Sequence, residues 1–522
     1  ADLGPGGQDA GGDLDVAGST IPGIPVVWTG RNRRVAWGVT NARAVTTDLY
    51  REKLGRRDPS MYFDGSRWRE LARRPETLRV KGADAEQLVV RSTPHGPLLG
   101  VLVEGDREPL ALAWTGARPD VRSGVASMLE VARAGSEAAL LAALARHEEP
   151  PLAVVYATAR GRAGMQVAGW IPRRALASGL MPLPGRARWY QWDERIAFED
   201  LPKHRVSDRG WAIAADNVFA RSRSRVAVEW LWRSGTRARR IDTLLRTAAA
   251  NGPLGVRQVM ALQTDVGMER AKRLVASALV LIEAGKPLGA VAREVVDFLR
   301  EWDGRALESS SGAAVYHLFL SSLTRRLLEP KLGAEMLDRY LALPQVDPDL
   351  VVFEIVRDAE AGGATDEWSD PAFVSEAVRA GLRETWFKLS YQLGSNRDKW
   401  RWGRLHRLGF RSFFPRENLA GGPYALAPFG YGGAADTVSV GEYDRVDPYA
   451  VRVASTFRFA VDTSTLDQAL VSLAPGQSGH PGHPHFADGV DRWRDGRPHL
   501  LITAPLLIEE SSQSLLRLEP RS

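Results

Sequence analysis

The apolar positions of this chain change rhythm twice. Up to about residue 220 they fall in short runs and alternations broken by Gly, Pro, Asn and Asp, which is the pattern of strands and tight turns. Leu88–Ser92, Leu98–Val103, Leu110–Trp114, Leu152–Thr158 and Met165–Trp170 read as strands, with a turn at Pro94–Pro97 and a polar tip at Ala159–Ala163. Residues 125–147, rich in Ala, Leu and Glu, read as helix. From about 236 to 393 the spacing becomes i, i+3, i+4. Ala271, Leu274, Val275, Ala278, Leu279 and Ile282 then share one helical face, and Ala313–Leu328 and Phe373–Leu393 repeat the pattern. Gly285, Gly333 and Gly394 stand where helix C-caps belong. From 400 on, Gly and aromatics rise, and strand patterns return near Val438–Val440, Ala450–Phe459 and Leu500–Pro505. Strands, a helical block and strands again predict an α+β fold: one mixed domain whose sheets are completed by the C-terminal part, with a helical layer inserted. The implied divisions are a flexible segment 1–17, a core 18–235, a mainly helical region 236–395 and a completing part 396–522.

The stretch Gly18–Asn41 carries the densest pattern. It reads as a turn, an apolar strand Ile24–Trp28, a polar tip Gly30–Arg34 and a second strand Val35–Val39 that leaves through Thr40 and Asn41. Gly30 and Asn32 suit the positive φ angles of a tight hairpin. Trp211–Asn217 reads as another short strand ending in polar residues.

Composition narrows the functional classes. The apolar share of 44% supports a sizeable core, and charged residues at 25% are ordinary. Lys and Arg number 69 against 63 Asp and Glu, a net charge of +6, and the arginines are scattered, which argues against a nucleic-acid surface. The absence of cysteine excludes disulfides, thiol catalysis and cysteine metal sites. No run of eighteen apolar residues predicts a membrane span. The start, Ala1-Asp2-Leu3-Gly4, shows no basic-then-apolar leader, and the missing Met predicts processing or truncation at this end.

Local enzyme signatures are missing: there is no P-loop, dinucleotide glycine motif, HExxH or GxSxG. Three histidines, His480, His483 and His485, offer imidazoles for zinc, but Pro481 and Pro484 also suit a stiff surface loop with no fourth ligand in reach. Asn217 at a strand end could donate its side-chain N–H to an oxyanion, or be a turn residue. Arg237 stands at a helix start, where a solvated arginine is the ordinary outcome. Asp48 could ligate calcium, although one carboxylate makes no site.

Taken in order, these segments resemble the penicillin acylase family of N-terminal nucleophile amidohydrolases. Gly18–Asn41 followed by Asp48-Leu49-Tyr50 resembles the opening of the family's large chain. His95-Gly96-Pro97, Gly169–Arg173, Ala215-Asp216-Asn217, Arg237–Ile241, Leu262–Asp265, Trp302-Asp303-Gly304, Trp402–His406, Gly432-Gly433, Gly476–Gly479, Pro484–Asp488 and Trp493 follow in register. The resemblance implies an αββα four-layer sandwich and amide hydrolysis through a serine acyl-enzyme. In the family that serine becomes a new N-terminus by self-cleavage, and its own α-amino group serves as base. Carried over, the oxyanion donors are the backbone N–H of Asn41 and the side chain of Asn217. Arg237 supports the asparagine, and Thr29 and Val39 line an apolar acyl pocket. The implied substrates are penicillins, acyl-homoserine lactones or related N-acyl compounds, and the implied partner is a small (alpha) subunit from the same precursor. Export to the periplasm or beyond is the family habit. No cofactor is required. Calcium, with Asp48 as ligand, is doubtful because Val45 stands where some members have a second carboxylate. The family's serine lies upstream of the opening hairpin, so this chain is expected to lack it and to be inactive alone. Ser19 aligns with a position inside the hairpin segment and is not expected to be the nucleophile. The rival reading is an inactive family member acting as a binding or structural protein.

Overall fold

The computed structural model describes residues 14–100, 108–174, 179–207, 210–219, 233–283, 285–344, 346–362, 367–411, 424–446 and 449–512. The chain separates into two compact units, Ala1–Trp232 and Arg233–Ser522.

In the first unit the principal elements are strands β1 (Val16–Ser19), β2 (Thr29–Asn32), β3 (Val35–Asn41), β4 (Thr47–Arg51) and β5 (Leu110–Trp114). They are followed by helices α1 (Gly124–Ala132) and α2 (Glu137–Ala145), then β6 (Leu152–Thr158), β7 (Ala163–Ala168) and β8 (Lys203–Arg205). Six of these strands form an antiparallel sheet in the order β1-β2-β3-β6-β7-β8. Strand alternation decides its two faces. Val35 and Trp37 of β3 and Leu152, Val154 and Tyr156 of β6 meet Met128, Val131, Leu140 and Leu144 from α1 and α2. Ala153 of β6 and Met165 and Val167 of β7 point the other way, to a smaller cluster with Ile171, Ile196 and Phe219. Residues 125–147 form two helices rather than one: Ser136 caps α2 by accepting from Ala139 N–H. A second sheet pairs β4 with β5 on one side and Leu183–Pro184 on the other.

The opening hairpin differs from its sequence pattern in three ways. Val16 and Ala17, assigned to a flexible segment, are fully buried in β1. The apolar run Ile24–Trp28 is not a strand; the strand is Thr29–Asn32, and Arg33 and Arg34 make the tip. Gly30 and Asn32 have no positive φ. Gly30 lies opposite Gly18, and a Cβ on it would sit 2.2 Å from the Ala17 carbonyl oxygen, so its role is close approach. Asn32 is buried and ties two elements. Its amide donates to the carbonyls of Ala132 and Ala134, each at 2.9 Å, and its oxygen accepts from the N–H groups of Arg34 and Val35, each at 2.8 Å.

The second unit is mainly helical. It contains α3 (Thr236–Ala250), α4 (Glu269–Glu283), α5 (Ala290–Glu301), α6 (Ser311–Leu332), α7 (Pro348–Glu360) and α8 (Pro371–Leu393). Phe319, Leu323 and Leu327 of α6 are buried among residues of α4, α5, α7 and α8. Gly333 and Gly394 end α6 and α8 with φ of 75° and 85°, which only glycine adopts freely. Among the described residues of this unit the later strands are two to four residues long and pair with one another in small two- and three-stranded sheets. Among the described residues no helix is long and apolar enough to cross a membrane.

Candidate functional site

β3 supplies the site's framework. Its Ala42 end bonds to β6's entrance, Ala42 N–H donating to Pro151 O at 3.2 Å. Ladder N–H groups alternate sides, so those of Val39 and Asn41 point away from β6 and toward β2. Val39 N–H finds the Thr29 hydroxyl at 3.3 Å. β2 begins at Thr29 and pairs Gly30 with Trp37, so its ladder ends before Asn41 and supplies that N–H no acceptor. The Asn41 side chain is exposed and accepts from Arg43 N–H at 2.6 Å, which turns the chain sharply after the strand; Arg43 has a φ of 51°. Val39 is half-buried on the sheet face that carries α1 and α2, beside Ile24 and Trp28.

Trp211–Asn217 is not a strand. It runs through bends, with Asp216 at φ 58°. The cause is local: Asn217 Oδ1 accepts from Ala215 N–H at 2.9 Å, and its amide donates to Val218 O at 3.1 Å. Ala212, Ala214 and Phe219 of this segment share a small apolar cluster with Ala42 and Ala44. The structure thus brings the segments of Asn41 and Asn217 onto one patch of core, and ties Thr29 to Val39. Arg237 belongs to the second unit, in the first turn of α3 after Gly235, whose φ is 68°.

Ser19 sits at the end of β1 opposite Thr29, with its hydroxyl donating to the Thr20 carbonyl and, among the described residues, no histidine or carboxylate bonded to it. His480 and His483 use their Nδ1 atoms to accept from Gly482 and His485 N–H, each at 3.1 Å, and His485 bonds Asp488. They stiffen a turn. Among the described residues no three His, Asp or Glu side chains gather as a metal site.

Asp48 was the candidate calcium ligand. Its carboxylate is buried, and Oδ2 accepts from Arg174 Nε at 2.9 Å and Trp192 Nε1 at 2.7 Å. Calcium wants six to eight oxygens, whereas here a buried guanidinium already neutralises the one carboxylate and Val45 adds no side-chain oxygen. These residues do not fit a calcium site. Sequence reasoning missed Arg174 because no spacing rule links positions 126 apart. It also missed Glu52, a buried carboxylate whose Oε1 accepts from the Thr93 hydroxyl and His95 Nδ1, each at 2.7 Å. Next to Asp48, burial and then that carboxylate push the Tyr50 phenol far above its usual range. Tyr50 therefore stays protonated and donates to the Tyr190 carbonyl at 2.6 Å.

A family model described as penicillin amidase matches residues 7–509. The acyl-homoserine lactone acylase QuiP of Pseudomonas aeruginosa is 27% identical over 527 residues, covering 92% of this chain and 61% of its own length. Penicillin G acylase of Escherichia coli is 24% identical over 543 residues, covering 94% of this chain and 59% of its own. Among solved structures, a thermostable penicillin G acylase from Alcaligenes faecalis superposes with a TM-score of 0.75 at 18% identity, over 100% of this chain and 94% of that one. The chain spans about 60% of the length of the curated relatives it matches.

Proposed function

Because the chain belongs to the penicillin amidase family and carries the α+β fold of the N-terminal nucleophile hydrolases, we propose that it forms the large catalytic part of an N-acyl amidohydrolase. The nucleophile in this reading is the serine that the family pattern sets upstream of β1, outside these 522 residues. Its α-amino group, with an ordinary pKa of about 8, takes the hydroxyl proton as the oxygen attacks the amide carbonyl. Negative charge then gathers on the former carbonyl oxygen, where the Asn41 N–H and the Asn217 amide donate to it. The C–N bond breaks, the amine leaves with the proton, and water releases the acyl group from the serine. Thr29 and Val39 are the acyl-pocket positions, and Arg237 keeps the role the resemblance gives it. The substrates of this reading are N-acyl compounds of the two kinds named for the relatives, acyl-homoserine lactones and penicillins. The small subunit from the same precursor and a location outside the cytoplasm belong to the same proposal.

The observation that carries it is the Asn41 N–H, which stands just past the end of the β2 ladder on the side of the Thr29 hydroxyl. The test is hydrolysis by the full-length gene product of an acyl-homoserine lactone and a phenylacetyl amide, with mass spectrometry of the quenched protein. Turnover with an acyl mass adduct on a serine supports the proposal. Self-cleavage without turnover of either compound contradicts it and leaves the binding-protein reading.

A further inference from the structure

The first unit holds a cavity of about 710 Å³, within the size range of small-molecule sites. None of Thr29, Val39, Asn41 or Asn217 lines it. Its wall is aromatic: Tyr50, Trp114, Trp170 and Trp192 all contribute, and Trp170 and Trp192 lie 6.3 Å apart.

Two polar features converge on that wall. His95 stacks on Tyr50 at 4.0 Å, with its Nδ1 against buried Glu52. A carboxylate only accepts, so Nδ1 is the donor of that bond. The second feature is cationic. Arg73, Arg74 and Arg118 line the cavity against Asp120 and Asp193. The Arg118 guanidinium lies 3.9 Å from the Trp170 ring centre, pairs with Asp120 at 2.8 Å and lies 3.8 Å from the buried Glu148 carboxylate. Asp120 is 76% exposed, so the Asp120 pair is the weak one, and a ligand carboxylate can take its place while Glu148 stays.

We propose that the cavity binds a planar aromatic carboxylate. The tryptophans stack on the ring and Arg118 receives the carboxylate. Binding requires no turnover, so this site stands or falls apart from the acylase reading.

Calorimetric titration of the protein with indole-3-acetate, and with indole-3-ethanol as the uncharged counterpart, tests it. Indole-3-acetate is expected to bind saturably, one per chain, at least about tenfold tighter than the alcohol. Trp114→Ala is expected to weaken both, while Arg118→Gln abolishes the preference for the acid. Trp114 is 52% exposed, and circular dichroism verifies that the variants fold. Absence of saturable binding, equal affinity for the two compounds, or variants that bind as the parent does would overturn the proposal.

Discussion

The Thr29 hydroxyl accepts the Val39 backbone N–H at 3.3 Å, closing the end of β3 onto the start of β2. Two residues assigned to one acyl pocket are thereby held by a bond between a side chain and a backbone. Thr29→Val keeps the shape and removes the acceptor. The half-buried Val39 N–H then loses its partner, at a cost of about 1–2 kcal/mol. Urea denaturation of parent, Thr29→Val and Thr29→Ser measures it; Thr29→Ser is expected to retain most of the stability. In the active protein Thr29→Val should raise KM more than it lowers kcat, because the loss is in pocket geometry.

Arg174 and Asp48 lie against each other inside the first unit, with side chains 4% and 1% exposed. Removing one partner strands the other charge. Arg174→Met is expected to destabilise by about 3–5 kcal/mol in denaturant titrations. Calcium or EDTA should leave the melting temperature of the parent protein unchanged, since the guanidinium already supplies the positive charge. A calcium-dependent rise in Tm of the parent would contradict this account of Asp48.

The second unit hides two histidines in one aromatic stack. His317 lies 4.1 Å and His406 4.5 Å from the Trp402 ring centre. Burial pushes both pKa values down, His317 well below its usual value and His406 to about 4, although the carbonyls of Tyr431 and Gly441 partly oppose the shift in His406. A depressed folded-state pKa gives stability that is fully present above the unfolded pKa of about 6.5 and lost as pH falls through the folded value. Stability is therefore expected to decline from pH 6.5 toward 4. His317→Phe should flatten that slope relative to the parent in denaturant titrations across the range. An unchanged slope would remove His317 from the account.

Legibility from sequence followed the range of the interactions involved. The 3.6-residue spacing in α4 and α8 was readable because each helix buries one face along its own length, whereas α6 and β6 showed as continuous apolar runs because they are buried on nearly all sides. The run Ile24–Trp28 misled because apolar content alone does not distinguish strand from irregular core-filling chain; Val26 and Val27 are buried without a ladder. Trp211–Asn217 misled because the Asn217 side chain competes with strand pairing. The roles of Asn32, Arg174 and Glu52 rest on partners far away in sequence, which no local pattern carries.

The acylase account concentrates on Asn217, whose side-chain amide is assigned to the developing oxyanion. Asn217→Ala in the full-length, self-processed protein should lower the single-turnover acylation rate by about 10²–10³ while substrate binding and melting temperature stay close to the parent. An acylation rate within twofold of the parent would contradict the assignment of Asn217, and with it the oxyanion site built on β3.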